Sequence, residues 1–191
     1  MQNSSIKPKS DLLRLSLTLF VISGVMALLV AFVNNVTEPV IAQRNAEKIT
    51  NALAAVIADA DEFKEVSTDT KSVTSSDGKQ TPIDGVWGAY KDGAFVGTCV
   101  KVSPQGYGGA IEMIVAVGSD NKIIDTQIVS LSETSGIGTK IQDDSFLSQF
   151  VGISSTNEVS VISGATKSSN AFLRGVNAAL SVVNKVSGGN N

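Results

Sequence analysis

Between Leu15 and Thr37 the chain runs for 23 residues without a charge, and most of them are Leu, Val, Phe, Ala, Ile or Met. As an α-helix rising about 1.5 Å per residue, the run is roughly 34 Å long, enough for a hydrocarbon core of about 30 Å. Residues 15–37 are therefore read as a transmembrane helix, behind a short tail of residues 1–14. A cleaved signal peptide is the rival reading, with Ala31-Phe32-Val33 as a passable small-residue site. Its apolar region would normally be about 7–15 residues, and this run is longer. The span carries no Asp, Glu, Lys or Arg that could serve an ion path. Lys7, Lys9 and Arg14 precede it, against Arg44 and Lys48 after it. That bias points to a cytoplasmic N-terminus, with the remainder on the outer side of the cell (inner) membrane.

The 191 residues, 42% of them hydrophobic, suffice for one domain with a real core. A net charge of −3 offers no basic surface for nucleic acid. Histidine is absent and Cys99 is the single cysteine. That removes His-dependent triads, His or Cys zinc sites, haem attachment through cysteine pairs, cysteine-ligated iron–sulfur clusters and any intramolecular disulfide. A redox role would need an organic cofactor. Cys99 itself sits in an apolar strand pattern, where a buried, inert thiol is expected.

After the span, Thr37-Glu38-Pro39 is expected to end or break the membrane helix. Ile49, Leu53, Val56 and Ile57 then recur at helical spacing, so Val40 to about Ala60 reads as a second helix, packed on the outer domain. Val66 to Thr81 is Ser, Thr, Asp, Lys and Gln with almost nothing apolar, and reads as a solvated loop. Residues 38–85 are thus taken as helix and polar linker, and 86–191 as the domain proper. Val86 to Tyr90 and Ala94 to Val102 flank Asp92-Gly93, a strong hairpin signal. Ile111, Met113, Val115 and Val117 form an alternating strand, and Gly118 to Asn121 turns the chain into Ile123 to Ser130. These are half-buried antiparallel strands with helices at the ends: an α+β domain behind one N-terminal transmembrane helix.

Two glycine-rich loops interrupt the meander, Gln105-Gly106-Tyr107-Gly108-Gly109 and Glu133-Thr134-Ser135-Gly136-Ile137-Gly138. Neither fits a dinucleotide fingerprint, since position 141 is Ile and the strands are not parallel units. Alone, each reads as a set of tight turns. Further on, Glu158 to Ile162 is expected to be a short strand, and Phe172, Val176, Ala179 and Val183 mark an amphipathic helix. Between them Ser163-Gly164-Ala165-Thr166-Lys167-Ser168-Ser169-Asn170 forms the turn, with Ser168, Ser169 and Asn170 as good N-cap types. A helix start of this kind suits a phosphate, and Gly164 and Ala165 lack the bulk that would keep a ligand off the backbone.

Ser163-Gly164-Ala165-Thr166 followed by Lys167-Ser168 resembles the flavinylation motif of the FMN-binding domain family. Members include the G subunits of Rnf electron-transport complexes and the C subunits of sodium-pumping NADH:quinone reductases. The two glycine loops resemble the same family, which has a Gly-Tyr-Gly-Gly stretch leading into a strand and a Glu-Thr-Pro-Gly-Leu-Gly loop beside the flavin. Here Ser135 and Ile137 stand in place of that Pro and Leu, and Ser160 where the family usually has an Asp. The resemblance covers the chain in order, and its length fits the G subunits better. It implies FMN joined covalently through its phosphate to the Thr166 hydroxyl by a flavin transferase. By the same resemblance Ser163, Gly164, Ala165, Lys167, Ser168, Tyr107, Glu133, Thr134, Gly136 and Gly138 bind the cofactor, with no catalytic residue and no metal. It further implies an electron-relaying subunit of an Rnf-type ferredoxin:NAD oxidoreductase coupled to cation transport. Membrane and iron–sulfur subunits would be its partners, and the isolated chain would not be catalytic. The alternatives are a stand-alone anchored flavoprotein of the same family and a non-redox anchored sensor or adhesion domain.

Overall fold

A computed structural model describes residues 8–188; residues 1–7 of the N-terminal tail, including Lys7, lie outside the described residues, as do 189–191. The chain divides into two compact units, Met1–Glu47 and Lys48–Asn191. Helix α1 runs Pro8–Val56 with Pro39 inside it, so Thr37-Glu38-Pro39 does not end the first helix and no separate helix begins at Val40. Proline removes one backbone hydrogen bond and crowds the turn before it. In that turn the Thr37 hydroxyl donates to the Val33 carbonyl (2.8 Å) and the Asn34 carbonyl (3.3 Å). Such back-bonding is one of the devices by which long helices tolerate proline. In the first unit the large apolar side chains between Leu12 and Ile41 are exposed. This helix is long and apolar enough to cross a membrane.

The second unit is built on an antiparallel sheet. Its strands are β1 (Glu62–Glu65), β2 (Ser72–Thr74), β3 (Gln80–Lys91), β4 (Ala94–Val102), β5 (Ile111–Gly118) and β6 (Ile123–Leu131). The order is β1-β3-β4-β5-β6, with β2 paired to the first residues of β3. The β3–β4 hairpin turns through Asp92 (φ 49°) and Gly93 (φ 78°), as the Asp-Gly pair predicts for a primed turn. After β6 come a short helix α2 (Asp144–Leu147), between 3-10 turns at Gly138–Gln142 and Ser148–Phe150, and the long helix α3 (Thr166–Gly188).

Two cores flank the sheet. On one face Phe172, Val176, Ala179 and Val183 of α3 pack with Val86, Val100, Val102, Met113 and Val115. Phe146, Phe150 and Phe172 meet at ring centroids of 4.9–5.4 Å, in edge-on or tilted geometry. On the other face Ala52, Leu53, Val56 and Ile57, from the end of α1 and the turn after it, pack with Ala89, Cys99, Ile114 and Ala116. The expected helical stripe after residue 48 is therefore real, but it is the continuation of α1. With helices on both sides, β5 is buried along both faces rather than half-buried, and Glu112 alone in it keeps partial exposure. Alternation signals one wet face; Ile114 and Ala116 on the other face are the trace of the end of α1 packed there.

Two other expectations give way. Residues 66–81 are not one solvated loop: they contain β2 and the start of β3, Val66 and Val73 pack against the core, and Thr81 is fully buried. Short polar strands of this kind escape period-2 reading, because their pairing to β3 is decided by the hairpin. Residues 158–162 form no strand. No sheet edge is paired with them; instead the Ser160 N–H donates to Gln149 Oε1 (2.9 Å) and the Ile162 N–H to Ser169 Oγ (3.1 Å). β-branched residues suit a pleated surface only where a neighbouring strand supplies one.

Candidate functional site

Three segments meet at the N-terminus of α3: the loop between β4 and β5, the loop after β6, and the turn at residues 163–165. Glu133 ties them together. Its Oε1 accepts the Tyr107 N–H at 2.7 Å; its Oε2 accepts the Gly108 N–H at 3.3 Å and the Ser168 hydroxyl at 2.9 Å. One carboxylate thus joins both glycine loops to the first turn of the helix, and bonds to a charged acceptor are the stronger kind. The second loop closes on itself: the Thr134 carbonyl accepts from Ile137, Gly138 and Thr139, and the Gly136 N–H donates to Thr139 Oγ1. Gly138 fits where nothing larger does. A Cβ there would lie 2.6 Å from Glu133 Oε2 and 3.0 Å from Ser168 Oγ.

The helix starts earlier than the N-cap types Ser168, Ser169 and Asn170 suggest. α3 begins at Thr166, and the Ala165 carbonyl accepts the Ser169 N–H at 2.9 Å. Ser168 and Ser169 therefore lie in the first turn and are not N-caps. Ser168 reaches Glu133, while Ser169 Oγ donates to the Ala165 carbonyl (3.0 Å) and accepts from Ile162. Gly164 makes the turn at φ 81°, a left-handed conformation that favours glycine. Thr166, Lys167 and Asn170 face solvent, whereas Ser168 and Ser169 are buried.

These segments enclose an open cavity of about 480 Å³, within the range of small-ligand sites. Tyr107 and Ile137 stand at its walls, about 65% and 51% exposed. Glu133, Thr134 and Gly138 line one side, and Gly164 to Ser168 the other. Lys167 Nζ lies 5.0 Å from the Tyr107 ring centroid, a cation–π contact. Of the residues singled out from the sequence, nine line this cavity: Tyr107, Glu133, Thr134, Gly138, Gly164, Ala165, Thr166, Lys167 and Ser168. Ser163 is exposed and sits just ahead of them, and Gly136 (φ 74°) shapes the loop from outside. Ile137 joins the set; its signal was an apolar side chain between two loop glycines. A larger cavity of about 590 Å³ lies along α3 and includes Asp77, Lys79, Asn170, Arg174 and Asn177. It has the polarity of a wet groove and lacks the aromatic wall and the glycine cradle.

The donor set fits a phosphorylated flat aromatic ligand. The first turn of α3 offers N–H groups without intrahelical partners and the positive end of its dipole, with Lys167 alongside. Tyr107 and Ile137 supply apolar surface for a ring. Cys99 takes no part: it is fully buried in β4, and burial pushes its thiol up to about 12.

The FMN-binding domain family matches residues 106–181, the segment that carries all three site elements. The chain is 30% identical to the G subunit of the proton-translocating ferredoxin:NAD(+) oxidoreductase complex of Clostridium ljungdahlii, over 96% of this chain and 97% of that one. It is 31% identical to the G subunit of the Na(+)-translocating ferredoxin:NAD(+) oxidoreductase complex of Acetobacterium woodii, over 91% and 92%. Among solved structures, Shewanella oneidensis NqrC overlaps 69% of this chain and 73% of its own at a TM-score of 0.47 and 18% identity. The segment that matches the FMN-binding domain family lies wholly within the second unit. The chain belongs to the family of G subunits of ion-translocating ferredoxin:NAD(+) oxidoreductase complexes.

Proposed function

We propose that this chain is a membrane-anchored flavoprotein subunit that holds FMN by an ester between its phosphate and Thr166 Oγ1. It relays electrons inside an Rnf-type ferredoxin:NAD oxidoreductase that moves a cation across the membrane. The observation that carries this reading is the exposed Thr166 at the first position of α3, on the rim of a cavity walled by Tyr107 and Ile137. When bound, FMN supplies one- and two-electron exchange, which suits a relay between two other centres.

The residues around it hold and orient. The N-terminus of α3 and Lys167 face the phosphate with positive potential, and the ester keeps the ligand from being lost on the outer face. Tyr107 and Ile137 would hold the ring of bound FMN by offering it apolar surface. Glu133 keeps both loops closed on the helix. The single thiol, Cys99, is buried, so no reactive thiol stands beside the flavin. A flavin transferase installs the group, and the membrane and iron–sulfur subunits of the complex deliver and remove electrons.

The test is in-gel flavin fluorescence after denaturation, on protein coexpressed with the transferase. Thr166→Ala should abolish the signal while the fold persists, because Ser169 still bonds Ala165 and Glu133 still bonds Ser168. Thr166→Ser should give partial modification, since it keeps the oxygen but loses the β-branch that restricts χ1. Ser163→Ala should be milder than either. A fluorescent Thr166→Ala band would place the ester elsewhere.

A further inference from the structure

We propose that Arg174 is a positioning residue for the flavin site, with Asp77 as its counter-charge: it fastens the base of the Tyr107 loop to α3 and so sets where the Tyr107 ring stands relative to Thr166. The inference rests on the reading of Thr166 as the attachment residue. Arg174 lies eight residues beyond Thr166 on the same helix, roughly 12 Å along its axis. Its side chain is only 11% exposed. An arginine so buried needs partners. Nη2 donates to the Gln105 carbonyl at 2.7 Å, and Nη1 lies 3.5 Å from Asp77 Oδ2. It lines the polar cavity along α3 and not the Thr166 cavity, so it acts on the site through Gln105.

Gln105 is the point where the Tyr107 loop opens. It pairs with Ala110 across an isolated bridge, and the Gly106 N–H closes onto the Gly109 carbonyl at 2.8 Å. The tip of the loop is held by Glu133, which is itself bonded to Ser168 in the first turn of α3. The base is held by Arg174, two turns further on. Two attachments to one rigid helix fix both the position and the tilt of the loop; either alone leaves a hinge. The Tyr107 ring is mostly exposed, and its one ring contact among the described residues is Lys167. Its placement therefore follows its backbone.

Asp77 comes from the turn between β2 and β3, where Ser75 and Lys79 close a tight hairpin. The polar stretch that composition assigns to solvent thereby reaches the flavin site through three links: Asp77, Arg174, Gln105. Arginine suits this place because its planar fork serves two acceptors in different directions, which a lysine ammonium on a single stem does poorly.

Hydrogen exchange on the full chain in detergent micelles tests the claim without flavin. Arg174→Met should speed exchange of the amides of Tyr107 and Gly108 at least tenfold, with Arg174→Lys in between. Asp77→Asn should act in the same direction by a few-fold, since Arg174 keeps its bond to Gln105. Emission of Trp87, the single tryptophan, reports that the sheet remains folded. In flavin-loaded protein an electron-rich ring against the flavin quenches its emission. Arg174→Met should therefore raise flavin emission, and in a Tyr107→Leu background it should change that emission no further, as expected for a residue that acts through the Tyr107 ring. Unchanged exchange in a folded Arg174→Met protein, or additive emission changes, would overturn the proposal. Should Arg174→Met fail to fold, unchanged exchange in Asp77→Asn and Arg174→Lys would do the same. If the ester is not at Thr166, the Thr166→Ala gel shows it separately, and the exchange result still decides the role of Arg174.

Discussion

Replacing Glu133 by alanine removes the acceptor from three donors at once: the N–H groups of Tyr107 and Gly108 and the hydroxyl of Ser168. Ser168 is 2% exposed and cannot turn to water, while the two loop amides can. Bonds to a charged acceptor contribute about 1.5–3 kcal/mol each when well formed. Glu133 is itself part-exposed and one of its bonds is long, at 3.3 Å, so their sum is an upper bound. A loss of about 2–4 kcal/mol is expected for Glu133→Ala, dominated by the unpaired Ser168 and the short Tyr107 bond. For a unit of this size that corresponds to a Tm lowered by about 6–12 °C. Glu133→Gln can point its amide NH₂ at Ser168, whose hydroxyl rotates to accept, and keep its oxygen on Tyr107. Only the Gly108 bond and the charge are then lost, a cost of about 1–2 kcal/mol. Ser168→Ala should cost about 1 kcal/mol, since Glu133 keeps two donors. Thermal unfolding followed by Trp87 emission ranks the three. A Glu133→Ala protein within about 1 °C of wild type, or a Glu133→Gln protein as damaged as Glu133→Ala, would refute the idea that this carboxylate joins the loops to α3.

Phe172→Ala empties the centre of the Phe146–Phe150–Phe172 cluster and should destabilise the second unit by about 3–5 kcal/mol in chemical denaturation. A loss under about 1 kcal/mol would mean the cluster collapses freely around the gap. Cys99 should resist a thiol reagent at pH 8 until the protein unfolds. Its folded pKa lies above the ordinary 9.0, so its share of stability is intact below pH 9 and is lost as pH rises toward 12. Labelling of the folded protein at the rate of a free thiol would contradict its burial. A reporter fused after Asn191 should be active only if it is a type that works outside the cytoplasm; activity of a cytoplasm-only reporter there would reverse the proposed topology.

Much of this protein is legible in its sequence because the relevant signals are local. The uncharged run of residues 15–37, the Asp92-Gly93 turn and the 172–183 stripe each depend on neighbours within a few positions, and the structure reproduces each as a helix or hairpin. Most of the candidate site was legible for the same reason. Glycines at 106, 108, 136, 138 and 164 mark loops wherever they fold, and the turn before α3 announces itself as the end of an apolar stretch and the start of a stripe.

What the sequence missed was non-local. Ser168 and Ser169 look like caps until tertiary structure gives one of them to Glu133, 35 residues away, and shows the other bonded back to Ala165. Glu158 to Ile162 has the composition of a strand, yet no edge pairs with it, so its amides turn to Gln149 and Ser169. Pro39 breaks most helices but not α1, because one lost bond is small beside the rest of a 49-residue helix. Asp77, in a stretch without apolar signal, was given a role only when the β2–β3 turn was brought against Arg174. Sequence by itself determined where the Asp92-Gly93 hairpin turns and which runs are apolar. Tertiary structure decided which polar groups meet, because hydrogen-bond partners separated by tens of residues are chosen by packing and leave no period in the sequence.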